Sequence, residues 1–298
     1  MSYSIDDYLT ELKMELKGSD KAIIQDALAD AHEHLTTALE EALQADSEQD
    51  PDLALSQIVE RYGTPAETSA AYREVEARTA SGFSSDRPAK NGKGVLSSFF
   101  GVYNDPRAWG GMVYMLIGLL LGVLYFDWAL VALSITLVFI LVLSIFFRSA
   151  ATFYFLSIEA LALMEGRIVE ALLHIRMPRR PLLHPKDLPW KERFKYQISD
   201  KATWRKLAYM FVMMPLGTAY FCAAVIMIAF SISGLLAPVL QEVLHQPIIT
   251  FGIQEVFLPG WSYPLSILAG ILLFTFTLHF TNGIGRLHGK FAKYMLVE

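Results

Sequence analysis

Apolar positions recur at helical spacing through the first sixty residues of the chain, then give way to long unbroken apolar blocks. Ile5, Tyr8, Leu9, Leu12 and Leu16 mark one face of a helix over residues 4–17, with Ser4 and Asp7 as its capping pair and Gly18 as its stop. A longer amphipathic helix over 20–45 repeats the pattern with Ile23, Ile24, Ala27, Leu28, Ala31 and Leu35. Asp50 caps a third helix over 51–62 that Gly63 ends. Thr64-Pro65-Ala66-Glu67 opens a fourth, with proline at the tolerated first position. Four amphipathic helices predict a small helical bundle over residues 1–79.

Beyond it, residues 80–103 begin as a Gly/Ser/Lys/Pro-rich stretch. As a flexible coil of about 20 residues this linker would span on the order of 25 Å, enough to hold the bundle clear of a bilayer. The apolar blocks follow. Trp109 to Asp127 gives roughly 27 Å of helix, one bilayer crossing, and Trp128 to Phe147 gives another. The run is too long for a single span, which places a hairpin turn at Asp127-Trp128 or nearer Ser134–Thr136. Residues 149–174 carry Glu159, Glu165, Arg167, Glu170 and His174 among Phe, Leu and Ile, the pattern of an interfacial helix. Spans over about 207–232 and 263–280 complete the set.

The membrane stretch is used twice. Asp105, Trp109, Tyr114, Met115, Leu121-Gly122 and Tyr125-Phe126 recur 95 positions later as Asp200, Trp204, Tyr209, Met210, Leu216-Gly217 and Tyr220-Phe221. Gly166-Arg167-Ile168 and Leu172-Leu173 similarly align with Gly289-Lys290-Phe291 and Met295-Leu296. That agreement in one register marks an internal duplication. The expected architecture is therefore all-α: the N-terminal bundle plus a four-span membrane domain over 104–298, built from a tandem parallel repeat with interfacial helices. Repeat one covers 104–175, a cytoplasmic loop 176–199 and repeat two 200–298, with both copies pointing the same way.

Composition agrees with lipid as the solvent of the second part, at 53% hydrophobic residues and a mean hydropathy of +0.36. The formal net charge of -5 hides a split: residues 1–80 hold 18 acidic and 6 basic side chains, whereas the rest is net positive. Cys222 is the single cysteine, so no intramolecular disulfide forms. No basic segment followed by an apolar one opens the chain, so no cleavable signal peptide is expected. Arg176, Arg179, Arg180, Lys186, Lys191 and further cations to Lys206 crowd one loop, while residues 233–262 contain no Lys or Arg. Cation-dense loops stay cytoplasmic, which predicts a multi-pass protein of the inner membrane with both termini inside.

Two stretches resemble known families. Tyr8-Leu9-x-x-Leu12, Asp26-x-x-x-Asp30-x-x-Glu33-His34-Leu35 and Ile58-Val59-x-x-Tyr62-Gly63-x-Pro65-x-Glu67 are similar to the small helical signalling domain called HAAS. Tyr62 stands where that family's turn usually carries Leu. Such domains are fused to membrane spans and accompany winged-helix regulators of the PadR type. The resemblance implies that this segment contacts a regulatory partner, with Asp26, Asp30, Glu33 and His34 as the candidate contacts. Asp105-Pro106-Arg107-x-Trp109, Ile175-Arg176-Met177-Pro178-Arg179-Arg180-Pro181, Asp200-x-x-Thr203-Trp204-Arg205 and Gly285-Arg286-Leu287-His288-Gly289 resemble the sensor domain that precedes histidine kinases in actinobacteria. No kinase module is expected after Glu298, so this resemblance implies that any output passes through the bundle or the cytoplasmic loop.

Candidate chemistry is sparse. Asp26, Asp30 and His34 fall at i, i+4 and i+8, lining two carboxylates and an imidazole on one helical face as a metal site requires. A solvated stripe on an amphipathic helix gives the same spacing, and no metal or cofactor is assigned. His32-Glu33-His34 is not HExxH. Asp127 suits either a proton-relay carboxylate or an interfacial turn, and its place at the end of a full-length span favours the turn. His279 and Asn282 suit a polar pocket or a helix end at the interface. No P-loop, G-x-S-x-G or pair of buried carboxylates appears, so no catalytic set is assigned and no enzyme is expected. The basic loop suits anionic lipid headgroups better than nucleic acid. In the outer segment His245, Trp261 and Tyr263 are the candidates for sensing a signal, although Trp and Tyr also mark membrane interfaces.

Two functions follow. The first is a non-catalytic membrane sensor relaying a signal to a cytoplasmic regulator, with membrane lipids as further partners and self-association into a homo-oligomer left open. The second is a small transporter or channel subunit. Transporters place ionisable residues near the bilayer midplane, and the scarcity of such residues in the expected spans favours the sensor.

Overall fold

The computed structural model describes residues 3–46, 49–84, 94–142, 147–181, 198–247, 249–251 and 254–297, with Glu192 and Lys195. The N-terminal bundle consists of α1 (Ile5–Glu15), α2 (Lys21–Ala45), α3 (Pro51–Tyr62) and α4 (Pro65–Ser84). Local chemistry sets where each begins. Ser4 and Asp7 exchange bonds as a capping box on α1, and Thr64 and Glu67 do the same for α4. Asp20 and Asp50 cap α2 and α3. Tyr8, Leu12, Leu16, Ala27, Ala31 and Leu35 form the buried core. Tyr8 also donates from its hydroxyl to the Gly63 carbonyl at 2.9 Å and lies 2.9 Å from Thr68 Oγ1, tying α1 to the turn between α3 and α4. Gly63 makes that turn at φ 110°, where a side chain would be strained.

α4 continues to Ser84, and α5 (Val95–Phe100) with a 3-10 turn over Gly101–Asn104 leads into the membrane module. The expected linker is therefore helical at both ends, and its residues 85–93 lie outside the described residues. Its later part is held because its aromatics pack: Phe99 stacks on His279 and Tyr103 lies against Phe274.

Four long helices follow: α6 (Pro106–Val142), α7 (Phe147–Leu173), α8 (Lys201–Pro238) and α9 (Tyr263–Leu296). Pro106–Ile135, Lys201–Val243 and Gly260–Leu296 are long and apolar enough to cross a membrane. Between α8 and α9 lie a π-helical turn (Val239–Val243) and a two-stranded hairpin in which β1 (Ile249–Phe251) pairs antiparallel with β2 (Gln254–Val256). The hairpin register sets Ile249 against Val256.

Three expectations are corrected. First, α6 runs unbroken through Asp127 and through Ser134–Thr136, so the chain does not reverse at either place. Neither site carries a Gly or Pro to break the helix, and the Asp127 side chain stays exposed on its surface. Second, α7 is not a helix with an outward polar side. Tyr154, Ile158, Ala162, Glu165, Val169 and Leu173 form one buried stripe, so Glu165 faces inward among apolar neighbours. Third, the two copies do not point the same way. Contacts from the turn before α6 and from α6 itself to α9 climb together, from Tyr103 on Thr275 through Ala108 on Thr281 to Tyr114 on His288. Contacts from α6 to α8 run in opposition: Gly118 on Gly217, Gly122 on Met213, Phe126 on Phe211. α6 is thus parallel to α9 and antiparallel to α8, so the leading helices of the two expected copies run in opposite senses. The expected placement of both termini inside rests on the cation-dense loops alone.

Positions of the expected repeat meet in the packing. Gly118 and Met213 are equivalent positions of the two copies, as are Gly122 and Gly217, and the contacts Gly118–Gly217 and Gly122–Met213 exchange under that equivalence. The pair therefore packs about a pseudo-twofold axis. Trp109 donates its indole N–H to the Tyr103 carbonyl at 2.9 Å, and its equivalent Trp204 donates to Ile198 O at 2.6 Å, again six residues upstream.

Candidate functional site

Two polar clusters stand out against this apolar frame. The first lies at the pseudo-twofold axis. Glu165, 1% exposed, projects from α7 and His288, also 1% exposed, from α9. Tyr114 of α6 and Tyr209 of α8 donate to Glu165 Oε1 at 2.5 and 2.7 Å, and Tyr125 donates to Oε2 at 2.6 Å. The same two hydroxyls, of Tyr114 and Tyr209, lie 2.5 and 3.0 Å from His288 Nε2. Tyr220 approaches His288 Nδ1 at 3.4 Å. Every member has its counterpart: Tyr114 with Tyr209, Tyr125 with Tyr220, and Glu165 with His288, each immediately before the aligned Gly166 and Gly289. A carboxylate on one side and an imidazole on the other are thus enclosed by four phenols. Three O–H donors converging on one carboxyl group define an ionised acceptor, which needs such donors when it is buried.

Nearby, Lys206 of α8, 4% exposed, pairs with Glu159 of α7. Asn282 donates to Asp105 Oδ2 at 2.8 Å and accepts from Arg286 at 3.0 Å, so it joins α9 to the cap of α6. His279 is exposed and meets the Phe99 carbonyl at 2.9 Å.

The second cluster joins the bundle to the membrane module. Asp26, 9% exposed, accepts at Oδ1 from the backbone amides of Arg179 and Arg180, at 2.6 and 3.0 Å, and at Oδ2 from the Arg176 guanidinium at 3.0 Å. Gln25 donates to the Arg180 carbonyl at 2.7 Å. Arg180 reaches Asp30 at 2.6 Å and also Glu33, while Lys293 of α9 pairs with Asp20. Glu170 holds Arg176 and Arg179 at 2.9 and 3.2 Å, aiming the strap from inside its own module. Burial raises the Asp26 carboxyl above its ordinary range, against the pull of the two amides and the arginines. Tyr72 donates to Asp30 at 2.8 Å, and burial together with Asp30 pushes the Tyr62 hydroxyl up to about 12.

Of the four expected partner contacts, Asp26, Asp30 and Glu33 thus face arginines of their own chain. His34 does not join them and stacks on Tyr62 at 4.6 Å. Asp26, Asp30 and His34 do not converge on a common point. The outer-segment candidates do not converge either. His245 sits exposed at φ 51°, Trp261 is 76% exposed, and Tyr263 donates to Glu242 at 2.7 Å. Glu165 and His288 were not among the expected site residues. The repeat register was the available signal, since it pairs them at the offset that pairs Gly166 with Gly289.

The fold and these clusters define a class: a helical membrane protein in which an N-terminal helical bundle is clasped onto a module of long apolar helices. Residues 114–296, more than half of the chain, match the family described as "Putative sensor", and the protein belongs to that family. Comparison with curated proteins and with solved structures gives no match.

Proposed function

We propose that the chain is a non-catalytic sensor of the inner membrane. In this reading a change in the helical module is relayed through the Ile175–Arg180 strap to the acidic bundle and alters the bundle's hold on a cytoplasmic regulator. The observation that carries it is the Asp26 clasp. The strap follows directly on α7, which also bears Glu165, and Met177 packs against Gly166 of the same helix. Movement of α7 therefore shifts the arginines that grip α2. Asp26 dominates the clasp energetically: removing one partner of a buried hydrogen-bonded charge pair costs about 3–5 kcal/mol. The more exposed Arg180 pairs with Asp30 and Glu33 contribute roughly 0–1 kcal/mol each. Release would uncover the acidic stripe, which suits a basic partner, and the likeness to HAAS domains makes a PadR-type winged-helix regulator the partner of choice.

The test leaves the acidic face intact and alters the strap. Full-length protein with Arg176→Glu and Arg180→Glu, in native membranes, should retain more DNA-binding regulator from lysate of the source bacterium than the unaltered chain. Retention by neither form overturns the relay. A second function, transport, draws on the Glu165–His288 pair, because ionisable groups enclosed by long apolar helices are what a substrate or proton path needs. Flux in proteoliposomes that is abolished by Glu165→Gln would favour it.

A further inference from the structure

The hydrogen-bond pattern around His288 fixes more than its position. Tyr114 and Tyr209 each have one proton, and both give it to Glu165. Neither can also donate to the His288 Nε2 atom that lies 2.5 and 3.0 Å from their oxygens. Nε2 must therefore carry the hydrogen and donate to those phenol oxygens. Neutral imidazole then has its lone pair on Nδ1, which faces the hydroxyl of Tyr220 at 3.4 Å. With Glu165 ionised and His288 neutral, the enclosed cluster holds one uncompensated negative charge.

From this geometry we infer that Glu165 and His288 form a buried proton-binding site, filled by uptake of one proton on His288 Nδ1. Uptake converts the cluster to a carboxylate–imidazolium pair whose nearest atoms, Oε1 and Nε2, are 3.8 Å apart. Tyr220 reverses its role, from donating to Nδ1 to accepting from it, and its own hydroxyl proton is freed toward the half-exposed side of the residue. The proton arrives from outside, and no bond between heavy atoms changes. Tyr220 is only half-buried, which gives Nδ1 a side of approach that the Glu165 side of the ring lacks.

The groups facing the imidazole are Tyr114 of α6, Glu165 of α7, and Tyr209 and Tyr220 of α8, with Tyr125 behind Glu165. The other buried charged residues described on these helices, Lys206 and Glu170, have partners of their own in Glu159 and in Arg176 and Arg179, and the phenol of Tyr154, also buried, is not among the groups that meet the ring. The charge of the cluster thus depends on His288. Because all four helices contribute to it, and α7 leads into the strap, the proton becomes the stimulus of the sensor proposed above. That regulatory consequence rests on the sensor reading, whereas proton binding does not.

The experiment follows the imidazole nitrogens of full-length protein, labelled at histidine, in lipid nanodiscs by NMR from alkaline to acidic pH. His288 is assigned, among seven histidines, by the signal lost in His288→Gln. The expected result is an Nε2–H tautomer at alkaline pH that gains a proton on Nδ1 as pH falls, with a midpoint displaced in Tyr220→Phe. A carboxylate band assigned to Glu165, by its loss in Glu165→Gln, should persist throughout. A histidine fixed as the Nδ1–H tautomer, a signal unchanged across the range, or a Glu165 that takes the proton instead would each overturn the site. Should His288→Gln fail to fold, the Tyr220→Phe displacement in otherwise unaltered protein still decides. A cross-link between cysteines placed at Gln25 and Arg180, in the same samples, reads the clasp. Proton uptake without a change in cross-linking upholds the site and rejects the relay.

Discussion

Asp26 and Arg176, 150 positions apart, meet at 3.0 Å, and both are largely withdrawn from solvent. Their contact makes the N-terminal bundle and the membrane module one mechanical unit. A double-mutant cycle with Asp26→Asn and Arg176→Gln should return a coupling of about 0.5–3 kcal/mol. Hydrogen exchange along α2 is the measurement. Additive single effects would show that the two side chains act independently, and the equivalent cycle on Asp30 and Arg180 should return about 0–1 kcal/mol.

The opposed sense of the two copies predicts a cross-linking pattern. Phe126 and Phe211 lie with ring centroids 5.6 Å apart. In a Cys222→Ser background, Phe126→Cys with Phe211→Cys should form a disulfide under mild oxidation. Copies of the same sense would instead bring Phe126 toward its repeat equivalent Phe221, so efficient linkage of that second pair, and not the first, would reject the inverted arrangement.

Helix packing at the axis predicts a contrast among glycines. A Cβ at Gly217 would overlap the Gly118 backbone, and one at Gly122 would lie 2.5 Å from the Met213 carbonyl oxygen. Gly217→Ala and Gly122→Ala should each destabilise the module by about 1–3 kcal/mol. At Gly283 nothing lies within 4 Å. Gly283→Ala should be neutral, or stabilising by up to about 1 kcal/mol through helix propensity. Thermal unfolding of the three variants in one detergent compares them.

Two exposed carboxyls give the bundle a pH dependence. Asp7 is held below its ordinary 3.8 by Ser4, and Glu67 below its ordinary 4.5 by the Thr64 amide and hydroxyl. Both folded values are lowered, so each cap contributes stability that is fully present above those ordinary values and is lost as pH falls through the lowered ones. Hydrogen-exchange protection of α1 and α4 should therefore hold above about pH 5 and decline in the acid range. In Asp7→Asn and Glu67→Gln the decline should flatten, and an unchanged slope would mean that the caps do not set it.

Much of the bundle was legible because its signals are local. Ser4 with Asp7, Asp20, Asp50 and Gly63 act within four residues of the atoms they cap, and the stripe of Tyr8, Leu12 and Leu16 shows its face by spacing alone. The recurrence of tyrosines, tryptophans and glycines in one register was legible too. Glu165 was visible in the sequence but not its direction: a carboxylate in a helical stripe looks the same whether it faces water or a histidine on another helix.

The sequence by itself therefore determined the helices of the bundle and their caps, because those depend on contacts a few residues apart. Only the tertiary structure decided that α6 and α8 run in opposite senses, that Glu165 meets His288 between the long helices, and that Asp26 finds its cations within the chain. Each of these joins segments far apart in sequence, and a repeat specifies the inside of each copy without specifying how one copy lies on the other. The reciprocal contacts of Gly118 with Gly217 and of Gly122 with Met213 supply that missing relation, because only close backbone approach in the inverted sense brings all four together.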